Sequence, residues 1–132
     1  MLDELRRALE SAPTVAYALV FGSTARGSRH SASDVDVAVE LQPEAPRDVR
    51  SLGTLAAHLE AAVGGPIDLV LLDEAPPAVA YRAFRDGRPV LVRDRAALVA
   101  RKARVILDYL DFRPVEERCA AGVLRRAAAG GR

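Results

Sequence analysis

Three aspartates and a glycine–serine pair carry the chemical signal of this 132-residue chain. Asp34 and Asp36 stand two apart in SDVDVAVEL, so strand alternation puts both carboxylates on one face. Asp68 follows thirty-two residues after Asp36, in PIDLVLL, where its neighbours are aliphatic. An unpaired carboxylate would be costly to bury there, so Asp68 calls for a partner, either a metal or one of the many arginines. Three carboxylates converging at one sheet edge would repel strongly, and a divalent cation resolves that repulsion. An oxygen-only donor set of this kind suits Mg²⁺, which is commonly held by one or two carboxylates together with substrate phosphates.

Gly22 and Ser23 supply the complementary half of such a site. A glycine at a strand end lets the backbone approach a ligand, and the serine and N–H groups after it, opening a helical turn over 23–26, can donate to phosphate oxygens. Arg26 adds a charge that either reaches an oxyanion or braces the loop. Donors for a triphosphate beside ligands for its metal point to phosphoryl or nucleotidyl transfer, where positioning and charge neutralisation do most of the catalysis.

These residues need a scaffold, and the chain's periodicities predict one. Leu2, Leu5, Ala8 and Leu9 recur at helical spacing up to Ser11 and Pro13. TVAYALVFG is a continuous apolar run that reads as a buried strand. In the next strand Val35, Val37 and Val39 point one way, while Asp34, Asp36, Ala38 and Glu40 point the other. A helical stripe from Val49 to Val63 ends at Gly64, Gly65 and Pro66, and IDLVLL follows as a third strand. A helix entered at Pro76–Pro77 and closed by Gly87, a short RPVLV strand, and a long helix from an Asp94 cap to about Phe112 complete the pattern. Pro114 is expected to end that helix, leaving a partly helical or disordered tail over 114–132. The reading is α/β: a small mixed β-sheet packed with helices, with the active site where the first two strands meet.

Half the residues are apolar and the net charge is +1, which allows one small core and gives no electrostatic reason to expect nucleic acid or membrane as the main partner. The segment from Arg82 to Arg104 is nonetheless cationic, with eight basic residues against Asp86 and Asp94. Its ordinary reading is a solvated helix face, its functional one a surface for a partner protein or for ATP phosphates. A single cysteine, Cys119, without metal-ligand neighbours suits a reducing compartment, and with neither an apolar leader nor a run of transmembrane length the expected location is cytoplasmic. His30 and His58 have no partner at ligand spacing, and Tyr17, Tyr81 and Tyr109 are too scattered for base stacking, so packing roles are expected of them.

GSTARGSRHSASDVDVAV, a Gly-Ser pair, ten residues and then Asp-x-Asp, resembles the signature of the DNA polymerase β-like nucleotidyltransferase superfamily. Within it the chain is most similar to the minimal nucleotidyltransferase branch, with Gly22, Ser23, Ala25, Arg26, Gly27, Ser33, Asp34 and Asp36 in the motif positions and Asp68 as the third acid. LLDEAPPAVAYRAFRDGRPVLVRD extends the resemblance to the antitoxins of HEPN–MNT toxin–antitoxin pairs, so a nucleotidyltransferase domain over 1–113 is expected. The resemblance implies transfer of AMP from ATP to a tyrosine hydroxyl of a partner HEPN ribonuclease, silencing it. Gly22 and Ser23 would hold the triphosphate, with Arg26 as a further phosphate contact. Asp34 and Asp36 would bind Mg²⁺, and Asp68 would complete the metal site and help deprotonate the attacking hydroxyl. Two other readings are an antitoxin that acts by binding alone and a small-molecule nucleotidyltransferase of the aminoglycoside-modifying kind. Against the latter stands the room for an added acceptor domain, about 20 residues beyond the long helix.

Overall fold

The computed structural model describes residues 1–22 and 35–128. Eight elements follow one another as α1 (Leu2–Glu10), β1 (Val15–Phe21), β2 (Val35–Leu41), α2 (Val49–Val63), β3 (Ile67–Leu71), α3 (Pro77–Asp86), β4 (Arg88–Val92) and α4 (Arg95–Ala128). The strands form one sheet in the order β3-β2-β1-β4. β1 pairs antiparallel with both β2 and β4, whereas β2 and β3 run parallel, joined by α2 as the crossover that a parallel pair requires. The expected mixed sheet is therefore present.

Helices cover both faces, and the strand sequences show why. Every residue of β1 is buried, which explains its lack of apolar–polar alternation. Val35, Val37 and Val39 of β2 pack with Leu5 and Leu9 of α1 and Leu55 and Leu59 of α2. Ala38 faces the opposite way and packs with Ala80, Ala83 and Phe84 of α3 and Val105 of α4. A register shift between Val15 and Tyr17 puts Ala16 and Tyr17 in the same core cluster, the local effect of a β-bulge.

The ends of the elements follow local chemistry. The Asp48 carboxylate accepts from the Ser51 N–H at 3.2 Å and caps α2, which ends at Gly64 in the left-handed conformation, φ 76°. Asp94 caps α4 as expected, accepting from the Ala97 N–H at 3.0 Å. Helix α4 does not stop at Pro114 but continues to Ala128. A proline removes one backbone donor and crowds the preceding turn, at a cost of about 3 kcal/mol. The good helix formers on either side, among them Glu116, Glu117, Arg118 and the alanines after them, carry the helix past it.

Candidate active site

The face of the sheet under α3 and α4 carries the acids. Parallel pairing sets Asp36 of β2 beside Asp68 of β3, and antiparallel pairing sets Phe21 of β1 opposite Asp36. Directly paired residues share a sheet face, so Phe21, Asp36 and Asp68 form a row across three strands. Gly22 comes immediately after that row, at φ 78°, a backbone conformation that L side chains rarely adopt. A Cβ at Gly22 would collide with Oδ2 of Asp36, so the main chain at the end of β1 lies directly against the carboxylate. Helix α3 closes the cleft from above with Val79, Arg82 and Asp86, which share one helix face by their spacing. The cleft has a volume of about 380 Å³.

Several contacts hold the α3 wall in place. Tyr81 stacks on Tyr109 of α4 with ring centroids 4.1 Å apart and planes 9° from parallel. The Arg85 guanidinium lies 5.9 Å above the Tyr81 ring and forks onto Asp86, with Nε donating to Oδ1 at 2.9 Å and Nη2 to Oδ2 at 3.0 Å. That fork holds the Arg85 guanidinium above its usual range. Helix α4 is tied to the sheet by Arg101, which donates to Glu40 from Nε at 3.1 Å, while the Tyr17 hydroxyl donates to the same carboxylate at 2.7 Å. Burial, and then the bond to Glu40, push the Tyr17 phenol well above its ordinary range. The tyrosines thus take packing roles, as their scatter suggested.

Of the residues singled out by sequence, the structure brings Gly22, Asp36 and Asp68 together in this cleft. Ser23, Arg26 and Asp34 lie outside the described residues, as does His30. Asp68 differs from expectation in its surroundings: it is exposed rather than buried among aliphatic neighbours. The cause is that β3 is an edge strand, with Ile67, Leu69 and Leu71 turned towards the core under α1 and α2 while Asp68 faces the cleft. Asp86 is a lining residue that the sequence does not single out, and Arg82 is there only one of eight basic residues in a segment open to ATP phosphates, although their spacing with Val79 in the helix after β3 is readable.

A larger cavity of about 490 Å³ lies on the opposite face, between α1 and α2, lined by Ser11, Thr14, Arg50 and His58 among others. Among the described residues no carboxylate side chain lines it. His58 Nε2 there donates to the Ala8 carbonyl at 3.0 Å and lies 3.0 Å from Ser11 Oγ, bracing α1 against α2 in the structural role foreseen for it.

The donors of the cleft fit a hard divalent cation. Two carboxylates on neighbouring strands, whose backbones are about 4.8 Å apart, concentrate negative charge over oxygen ligands alone. Among the described residues no cluster of three His, Cys, Asp or Glu side chains forms a metal site, and the third carboxylate of the sequence motif, Asp34, lies outside them. No helix among the described residues is long and apolar enough to cross a membrane.

The four-stranded mixed sheet with its paired helices is the polymerase β-like nucleotidyltransferase fold. The sequence model of Polymerase beta, Nucleotidyltransferase matches residues 3–96, and the chain belongs to that family. No curated protein sequence matches it. Among solved structures, it resembles a chain of a toxin–antitoxin with AMP-PNP at 21% identity and TM-score 0.78, over 93% of this chain and 98% of the other. A chain of the toxin–antitoxin MntA–HepT matches at 18% identity and TM-score 0.72, over 93% and 96% of the two chains. A third likeness, 19% identical with TM-score 0.71 over 94% and 99%, is to a complex of a tri-AMPylated HEPN toxin from Shewanella oneidensis with its MNT antitoxin.

Proposed function

We propose that the chain is an antitoxin nucleotidyltransferase that transfers AMP from ATP to a tyrosine hydroxyl of a cognate HEPN ribonuclease and so neutralises it. The observation that carries this reading is the register of Asp36 beside Asp68 with the Gly22 turn closed onto Asp36, in a chain of the nucleotidyltransferase family. The likeness to a chain of a complex containing an AMPylated HEPN toxin supports the choice of acceptor.

In the reaction, the acceptor oxygen bonds to the α-phosphorus of ATP, the bond from that phosphorus to the bridging oxygen breaks, and pyrophosphate leaves. Asp36 and Asp68, with Asp34 from the sequence motif, are the residues that would hold Mg²⁺, which when bound neutralises phosphate charge. Asp68, which is exposed and lines the cleft, is assigned as the acceptor of the hydroxyl proton. Gly22 leaves room for the triphosphate beside the carboxylates, and Ser23 and Arg26 are assigned phosphate contacts from the motif alone. The partners are accordingly ATP and the HEPN protein, with no direct nucleic-acid contact and a cytoplasmic setting.

The test is to incubate the protein with α-labelled ATP, Mg²⁺ and the HEPN protein encoded beside it. Label is expected on a tyrosine of the partner, and Asp36→Ala is expected to abolish it. Neutralisation of the toxin without label, unchanged by Asp36→Ala, would establish an antitoxin that acts by binding alone.

A further inference from the structure

The cationic segment that looked uniform in sequence is divided by the fold into separate tasks. Arg85 is committed to Asp86, and Arg101 to Glu40. Arg104 pairs with Asp108 at 3.4 Å along the exposed side of α4. Arg93 donates to four main-chain carbonyls between the end of α1 and the start of β1. Of the eight basic residues only Arg82 lines the cleft that holds Gly22, Asp36 and Asp68.

Arg82 is distinctive in a second respect. It stands four residues before Asp86, the helical spacing at which opposite charges ordinarily pair. Asp86 nevertheless takes the fork of Arg85, and among the described residues no hydrogen bond or ion pair engages Arg82. The cleft therefore presents carboxylates on its sheet wall and, across from them on α3, an exposed guanidinium with its donors available. A guanidinium offers a planar fork of donors matched to phosphate oxygens.

We infer that Arg82 is a nucleotide-binding residue: it holds the β- and γ-phosphates of the nucleoside triphosphate from the α3 side and keeps hold of them as pyrophosphate departs. This rests on the nucleotidyltransferase reading of the cleft. Val79, one turn earlier on the same helix face, lines the same wall and gives the phosphates an apolar boundary. The position of Arg82 is set by the Tyr81–Tyr109 stack beside it, which fixes α3 against α4.

Equilibrium binding of ATP and of AMP, each with Mg²⁺, to the full chain and its Arg82→Gln and Arg82→Lys variants tests this without relying on turnover. Losing charge-assisted hydrogen bonds to phosphate is expected to weaken ATP binding by about tenfold or more in Arg82→Gln. AMP, which lacks the β- and γ-phosphates, should bind all three proteins alike, and Arg82→Lys should recover part of the ATP affinity. Equal ATP affinity in wild type and Arg82→Gln would overturn the assignment of Arg82 while leaving the cleft as the nucleotide site. Equal weakening of ATP and AMP would overturn the assignment to the β- and γ-phosphates. Absence of ATP binding to the wild-type protein would overturn the nucleotidyltransferase reading and this inference with it. Unchanged thermal melting of Arg82→Gln is expected, because the side chain is exposed, and checks that any loss is local.

Discussion

Gly22 abuts the Asp36 carboxylate so closely that a Cβ at position 22 would collide with Oδ2. The same residue has φ 78°, so a side chain there is opposed both by the backbone and by the acid it faces. Gly22→Ala is expected to strain the backbone by about 1–2 kcal/mol and to push Asp36 out of line. Adenylyl transfer should fall by about a hundredfold, the scale on which a displacement of roughly an ångström acts. Labelled-AMP transfer and thermal melting measure the two effects. A folded Gly22→Ala protein with full activity would show that the close approach does not position Asp36.

Asp36 and Asp68 are paired across parallel strands, and like charges placed directly opposite destabilise a sheet. Asp68→Asn removes one of them. Without divalent metal this variant should melt a few degrees higher than wild type, and with Mg²⁺ the order should reverse as wild type gains a ligand that the variant binds poorly. Transfer activity should be lost in both conditions. Melting curves with EDTA and with excess Mg²⁺ decide the matter; a variant less stable than wild type in EDTA would mean that Asp68 supports the fold in a way mutual repulsion does not describe.

How much of this was legible before folding depends on the range of the interaction concerned. Val35, Val37 and Val39 announced a strand with one core face, because alternation is a local property of the chain. The caps at Asp94 and Gly64 were legible for the same reason. The meeting of Asp36 with Asp68 needed the order β3-β2-β1 and the parallel register, which the helix between the two strands suggests but does not specify. The exposure of Asp68 is not legible locally, because its aliphatic neighbours do not tell an edge strand from a central one. Pro114 is a local stop signal, whereas a 34-residue helix tolerates the loss of one bond. Arg82 and Arg93 looked alike in sequence; which arginine meets a cleft and which meets a helix end is decided by tertiary packing.

Arg93 joins the end of β4 to the turn after α1. Its Nη1 donates to the carbonyls of Ala12 and Val15 at 3.0 and 2.9 Å, and its Nη2 to those of Leu9 and Glu10 at 3.0 and 2.7 Å. A cation at a helix C-terminus also meets the negative end of the helix dipole. Arg93→Ala should therefore lower unfolding free energy by about 2 kcal/mol, and Arg93→Lys by less, since an ammonium keeps the charge without the fork. Urea denaturation gives the comparison. Nucleotide binding should be unchanged in the folded Arg93→Ala protein, because Arg93 is not among the residues lining the candidate active-site cleft; loss of binding there would mean that the α1 end is coupled to the site.

Tyr17 provides the pH dependence. Burial and the bond to Glu40 raise its pKa in the folded protein, while the unfolded chain ionises with an ordinary phenol pKa of about 10. The folded state then binds more protons than the unfolded state above that pH, so stability falls as pH rises. The contribution of the neutral phenol is fully present below about pH 10 and is lost above it, with a limiting slope of about 1.4 kcal/mol per pH unit from this one group. Tyr17→Phe removes the titration and also leaves Glu40 without one donor, although Arg101 still engages it at 3.1 Å. The variant should be less stable than wild type at pH 8, and the difference should narrow between pH 10 and 11 as wild type loses its advantage. Denaturation at several pH values, with the variant subtracted from wild type, separates the effect of Tyr17 from that of the other alkaline groups. A difference that stays constant across that range would show that Tyr17 ionises in the folded protein as readily as in the unfolded chain.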